Sequence, residues 1–287
     1  MTAPCISVVV LTHNRRDTLA HTLRQLTALP ERPRVAVVDN GSTDGTCAML
    51  ARQFPEVACL SCSTNLGAAG RNLGAQWAST PYVAFCDDDC WWQAGALARA
   101  CAMFDKNPEI GALTARILVG ESEREDPTST AMSHSPLPSA GLPGRMILGV
   151  MAGATAFRTG AFLEAGGYDS RLFIGGEETL LSLRLAALGW ALVYAPELVV
   201  HHHPSAARDA QRRRAMLARN AVWSAWLCLP APMAVAETLG VLPQLATQLE
   251  PSDWGDLLRG MRWVLQERQV VPRHIAAALR LVRAAAR

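Results

Sequence analysis

Residues 6–11, 35–38, 57–60 and 82–86 are four short, apolar, β-rich runs, and a helical pattern separates each from the next. Runs of this length bounded by polar residues read as buried strands. Leu19, Leu23 and Leu26 share one helical face after the first run. Asp17 is placed to cap that helix, and Pro30 and Pro33 end it. The second helix runs through Met49 and Phe54 from a cap at Thr43 or Asp44, and a third spans about 72–78. This β-α-β-α-β-α-β order predicts right-handed crossovers and a largely parallel central sheet.

Two of the strand ends are acidic. The fourth run stops at Asp87, Asp88 and Asp89, and the second runs into Asp39-Asn40-Gly41-Ser42-Thr43-Asp44. Packed carboxylates repel one another unless a divalent cation or a set of donors neutralises them. Ligands of open α/β sheets bind beyond the carboxyl ends of the strands. Two acidic ends on that edge predict a site for a phosphate-bearing ligand and its metal. The bland alternative is an acidic turn before Trp91.

Downstream, a helix over 94–104 and a strand over about 110–118 follow. Residues 121–144 are rich in Ser, Pro and charge, which predicts a mobile loop. Residues 162–167 read as a short helix with a glycine stop, and 177–188 as a helix ending at Gly189. Strands are expected at 191–194 and 198–200, the second ending in His201, His202 and His203. Side chains alternate along a strand, so His202 faces away from the other two, and a zinc site of all three is disfavoured. Beyond Pro204, Arg208, Arg212, Arg213, Arg214 and Arg219 fall on one helix, followed by Trp223 and Trp226. Those tryptophans suit a packed annex and a lipid surface equally. Pro230, Pro232, Pro243 and Glu237 interrupt the apolar stretch 227–247, so no membrane span is read there.

The 287 residues, half of them hydrophobic, suit one elaborated domain with a helical annex. The divisions are 1–205, with a donor half to about 118 and an acceptor half from about 145, and 206–287. A net charge of +2 gives no field for nucleic acid. The start of the chain leads directly into a strand without a signal peptide pattern, so a cytoplasmic location is expected, with the inner membrane face open to the basic C-terminal helices. Eight cysteines form no framework; Cys59 and Cys62 lack a second pair at zinc spacing, and most read as small core residues. Gly67, Gly70 and Gly74 miss the dinucleotide-binding spacing and follow the wrong strand, which argues against a dehydrogenase.

The order of these pieces resembles glycosyltransferase family 2, whose members have the GT-A fold. The resemblance covers about 6–205 and looks closest to bacterial rhamnosyltransferase-like members. It rests on Ser7-Val8-Val9-Val10-Leu11-Thr12-His13-Asn14-Arg15, on Val38-Asp39-Asn40-Gly41-Ser42-Thr43-Asp44-Gly45-Thr46 and on Asn65-Leu66-Gly67-Ala68-Ala69-Gly70-Arg71-Asn72. Asp87-Asp88-Asp89 matches the family's D-x-D, and Gly166-Gly167-Tyr168-Asp169, Gly176-Glu177-Glu178 and Pro196 with His202 follow in order.

The resemblance implies a metal-dependent inverting transferase moving a sugar from a UDP-, dTDP- or GDP-linked donor to a hydroxyl acceptor. Thr12, Asn14, Arg16, Asp39, Asp44, Arg71, Asp87 and Asp88 are then donor-binding. Asp87, Asp89 and His202 hold Mn²⁺ or Mg²⁺. Glu178 is the base and Glu177 its neighbour, pointing about 100° away on a helix. The family usually has Asp at the position of Glu178 and often an acid where this chain has Leu180. A catalytically silent protein of the same fold, binding nucleotide-sugar or glycan, is the alternative. A membrane-surface adaptor built on the C-terminal helices is a third.

Overall fold

The computed structural model describes residues 4–204, 210–248 and 251–285. Arg208 and the expected division at 205/206 lie outside the described residues. One sheet organises the chain. Strands β1 (Ile6–Thr12), β2 (Arg34–Asp39), β3 (Ala58–Ser61) and β4 (Tyr82–Asp87) alternate with helices α1 (Arg16–Thr27), α2 (Thr46–Gln53) and α3 (Gly70–Trp77). The sheet order begins β3-β2-β1-β4, and every pairing in it is parallel. Val8, Val9, Val10 and Phe85 are fully buried, because helices cover both faces of a parallel sheet.

The second half is mixed. It contains β5 (Cys90–Trp92), α4 (Ala96–Lys106), β6 (Ile110–Val119), β7 (Arg124–Glu125), α5 (Pro127–Ser133), β8 (Arg145–Met146), β9 (Thr155–Arg158), α6 (Thr159–Glu164), α7 (Glu177–Ala187) and β10 (Ala191–His202). The order continues β9-β6-β10-β5 from β4. β9 is antiparallel to both β4 and β6, β6 and β10 are parallel, and β5 returns antiparallel to β10. The two strands expected at 191–194 and 198–200 are one strand. Its register with β6 slips between Ala195 and Val199, where Pro196 has no N–H to give the ladder.

Three local expectations differ from the structure. Residues 121–144 do not form one open loop. β7 pairs with β6, and Asp126 caps α5, its side chain accepting the Thr128 N–H. Arg15, not Asp17, occupies the cap of α1, and Asp17 sits in its first turn. Cys5 and Cys101 are disulfide-bonded, joining the segment before β1 to α4, although their separation of 96 residues carries no sequence signal.

The C-terminal helices are α8 (Ala210–Cys228), α9 (Ala231–Gln248), α10 (Pro251–Gln266) and α11 (Arg273–Ala285). Trp223 is buried against Trp263, and its indole N–H donates to the Leu257 carbonyl. Trp226 donates to Thr238. These two tryptophans therefore cement the annex. Among the described residues, no helix is long and apolar enough to cross a membrane.

Candidate active site

A cleft of about 500 Å³ opens at the carboxyl ends of β1 and β4. Asp88 and Asp89 form the tight turn between β4 and β5. β5 then pairs with β10, placing Cys90 opposite His202. That pairing brings Asp89 Oδ1 to 3.5 Å from His202 Nε2. His201 and His203 turn the other way and flank the Trp91 ring.

The three aspartates have different partners. Asp88 accepts Thr12 Oγ1 at 2.9 Å and Arg15 Nη1 at 2.6 Å. Arg15 also reaches Asp89 Oδ2 at 3.0 Å, so one guanidinium bridges two buried carboxylates. Burial pushes the Asp88 carboxyl up to about 6, against the pull of Arg15. Asp87 is half exposed and pairs with Arg71, which lies under the cleft floor beside the Tyr168 ring. Gly153 closes over Asp87. A Cβ there would fall 2.8 Å from Asp87 Oδ2.

Asp89, Cys90 and His202 each offer a ligand atom within 4.8 Å of the others. Burial holds the Cys90 thiol well above its ordinary value, and hard cations such as Mn²⁺ and Mg²⁺ prefer oxygen to a soft thiol. Asp89 offers the carboxylate oxygen that Mn²⁺ and Mg²⁺ favour, with the His202 imidazole beside it. Asp87 lines the same cleft but lies outside that cluster, on its Arg71 side.

Glu177 and Glu178 enter the cleft from the start of α7. Glu178 Oε1 accepts the Ala152 N–H at 2.5 Å, which aims the carboxylate. Burial pushes Glu178 up to about 7. Glu177 is buried, is also raised by burial, and has one carboxylate oxygen without a hydrogen-bond partner. Leu180, where the family often has an acid, is core.

Other expected donor residues sit one shell back or elsewhere. Asp39 is buried, accepting the Ser42 N–H at 3.0 Å and the Cys47 thiol at 3.0 Å. Asn14 has φ 53° and accepts the Thr43 N–H. Asp44 accepts the Arg16 and Thr46 N–H groups, but Gly45, in the left-handed region at φ 84°, occupies the N-cap of α2, and not Thr43 or Asp44. The Arg16 side chain faces Asp17 and the Asp44 carbonyl, outside the main cleft. Arg15, one residue earlier, is the arginine in the cleft. The run Asn14-Arg15-Arg16 offers two adjacent candidates, and only the three-dimensional turn separates them.

The annex also reaches the site, which sequence reasoning missed. Arg213 and Leu217 of α8 line the cleft. Gly175 and Gly176, at φ 85° and 83°, let α8 approach; a Cβ at Gly175 would lie 2.2 Å from Leu217. The fully buried Asn220 donates to the carbonyls of Leu172 (2.5 Å), Ile174 (3.0 Å) and Gly175 (2.8 Å). It holds the loop that delivers Glu177 and Glu178. Asn220→Ala is expected to destabilise the protein by about 2–3 kcal/mol, since buried acceptors lose their donor. Denaturant unfolding measures this, and an unchanged midpoint would contradict it.

The mixed α/β fold, with its curled sheet and helical annex, is of the GT-A type that its solved structural neighbours share. The Glycosyl transferase family 2 model matches residues 7–162, more than half the chain, and the protein belongs to that family. It is 28% identical over 237 residues to N-acetylglucosaminyl-diphospho-decaprenol L-rhamnosyltransferase of Mycobacterium tuberculosis, covering 69% of this chain and 76% of that one. GalNAc-T7 with UDP, GalNAc and Mn²⁺ shares the fold at a TM-score of 0.63 and 16% identity, over 91% of this chain and 56% of that one. S. aureus TarS 1–349 in complex with UDP-GlcNAc does so at 0.61 and 16%, over 98% and 87%.

Proposed function

We propose that this glycosyltransferase is metal-dependent and inverting, and that it moves a sugar from a nucleoside-diphosphate sugar to a hydroxyl acceptor. The observation that carries the reading is that the Asp89–His202 pair and Glu178 line one cleft. The solved structures of like fold hold UDP with Mn²⁺ and UDP-GlcNAc. The rhamnosyltransferase relative favours a glycan or lipid-linked glycan as acceptor.

Glu178 takes the proton of the acceptor hydroxyl as that oxygen forms its bond to C1 of the sugar. The bond from C1 to the diphosphate oxygen breaks from the opposite face, and its electron pair leaves with the nucleoside diphosphate. One carboxylate suffices for this single displacement. A bound Mn²⁺ or Mg²⁺ supplies neutralisation of the charge developing on the diphosphate. Arg15 keeps Asp88 and Asp89 in one geometry, and Arg71 positions Asp87. Ala152 and Gly153 hold Glu178 and Asp87 on adjacent sides of the same short turn.

A thermal-shift panel of UDP-, dTDP- and GDP-sugars, each with and without Mn²⁺, tests the reading. One base class is expected to raise the melting temperature, with a larger rise when Mn²⁺ is present. No shift with any donor would contradict it.

A further inference from the structure

The sequence leaves the arginines and tryptophans of α8 equally suited to a packed annex and a lipid surface, and the structure turns those tryptophans inward. A different face stands out. Eight of the eleven large hydrophobic residues exposed among the described residues lie after position 205. On α9, Val235, Leu239 and Leu242 are 43%, 59% and 42% exposed. Their i, i+4, i+7 spacing makes one stripe. A helix facing water carries charge on its outer side. Every exposed residue of α9 is uncharged, and its single charged side chain, Glu237, is half-buried and paired with Arg283 at 2.8 Å.

That ion pair sets α11 beside α9. α11 buries Ile275, Ala276 and Leu279 and leaves Arg273, Arg280 and Leu281 exposed. It has no acidic residue. Charge is divided along the chain in the same sense. Residues 206–287 contain twelve arginines and six acids, a net +6, which leaves residues 1–205 at −4.

We infer that the α9–α11 face of the annex docks on an anionic lipid bilayer, with Val235, Leu239 and Leu242 entering the headgroup–acyl boundary and Arg273 and Arg280 meeting acidic headgroups. Exposed apolar side chains on one helix, with exposed arginines on the helix paired to it, suit contact with anionic lipid, and each basic residue near such a surface adds to binding. A second copy of the chain suits the face less well, because two annexes of +6 repel. The inference stands apart from the transferase reading, since it needs neither donor nor metal.

Co-sedimentation with vesicles tests it, using phosphatidylglycerol and phosphatidylcholine in equal parts against phosphatidylcholine alone. The intact protein is expected to bind the anionic vesicles, less so as salt rises. Leu239→Glu with Leu242→Glu should weaken binding by ~10-fold or more, and Arg273→Glu with Arg280→Glu should remove the preference for anionic vesicles. Leu188→Glu, an exposed leucine of the main domain, should leave binding unchanged. Circular dichroism and melting temperature establish that the variants are folded. The arginine pair keeps the test open if the leucine pair does not fold. Absence of binding to anionic vesicles, or equal binding by a folded leucine variant, overturns the inference. So does a dimer of the intact protein that the leucine substitutions make monomeric.

Discussion

Glu178→Gln is expected to cut the transfer rate by roughly 10²–10⁴-fold while donor binding stays near normal. Glutamine keeps the size and can still accept the Ala152 N–H, but it cannot take the acceptor proton. The pH profile gives a second signature. Burial pushes Glu178 up to about 7, so only above that pH is it mostly the carboxylate that a base must be. Activity should rise with pH through about 7. Stability should move the other way. The raised folded value means the folded protein binds more protons than the unfolded chain between the ordinary glutamate range and about 7, so stability declines across that window. Glu178→Gln removes the decline, and the variant should gain of order 1–3 kcal/mol at pH 8. Loss of rate with a gain of stability is what a base held at a cost produces. Glu177→Gln should affect the rate less and stability or positioning more. If Glu177→Gln is dead and Glu178→Gln is not, the base is the neighbouring residue.

Asp89→Ala should abolish measurable transfer, a loss of about 10³-fold or more if the cation supplies several kcal/mol to the transition state. It should also erase the Mn²⁺-dependent part of the thermal shift with donor, which reads binding and not turnover. The fold should persist. Asp89 lies in a turn, and Thr12 and Arg15 still meet Asp88. Full activity of this variant, or full wild-type activity in excess chelator, would contradict the role given to Asp89.

Much of the parallel half was legible because its signal is local. The runs ending at Leu11, Val38 and Cys86 are continuous and apolar, and each lies within a strand of the structure. The aspartate turn announced the cleft because clustered carboxylates at a buried strand end need compensation. What remained hidden depends on long-range pairing. β5 is three residues long and exists only because β10 comes back beside it, yet it brings Asp89 to His202. The cleft role of Arg15 rather than Arg16 is decided by the turn after β1. Asn220 lies over forty residues beyond the loop that it holds, on a helix that composition marks only as basic. The bond between Cys5 and Cys101 is hidden for the same reason.

Catalysis of sugar transfer from a nucleotide donor requires multiple-turnover release of nucleoside diphosphate, which a single assay measures. The donor that gives the largest thermal shift is supplied in large excess over enzyme, with Mn²⁺ and a hydroxyl acceptor. The intact protein should release many equivalents of nucleoside diphosphate per enzyme. Excess chelator and Glu178→Gln should each suppress the release. Tight donor binding with no more than one equivalent released, under every acceptor condition, would make the protein a silent binder of nucleotide-sugar and contradict the account.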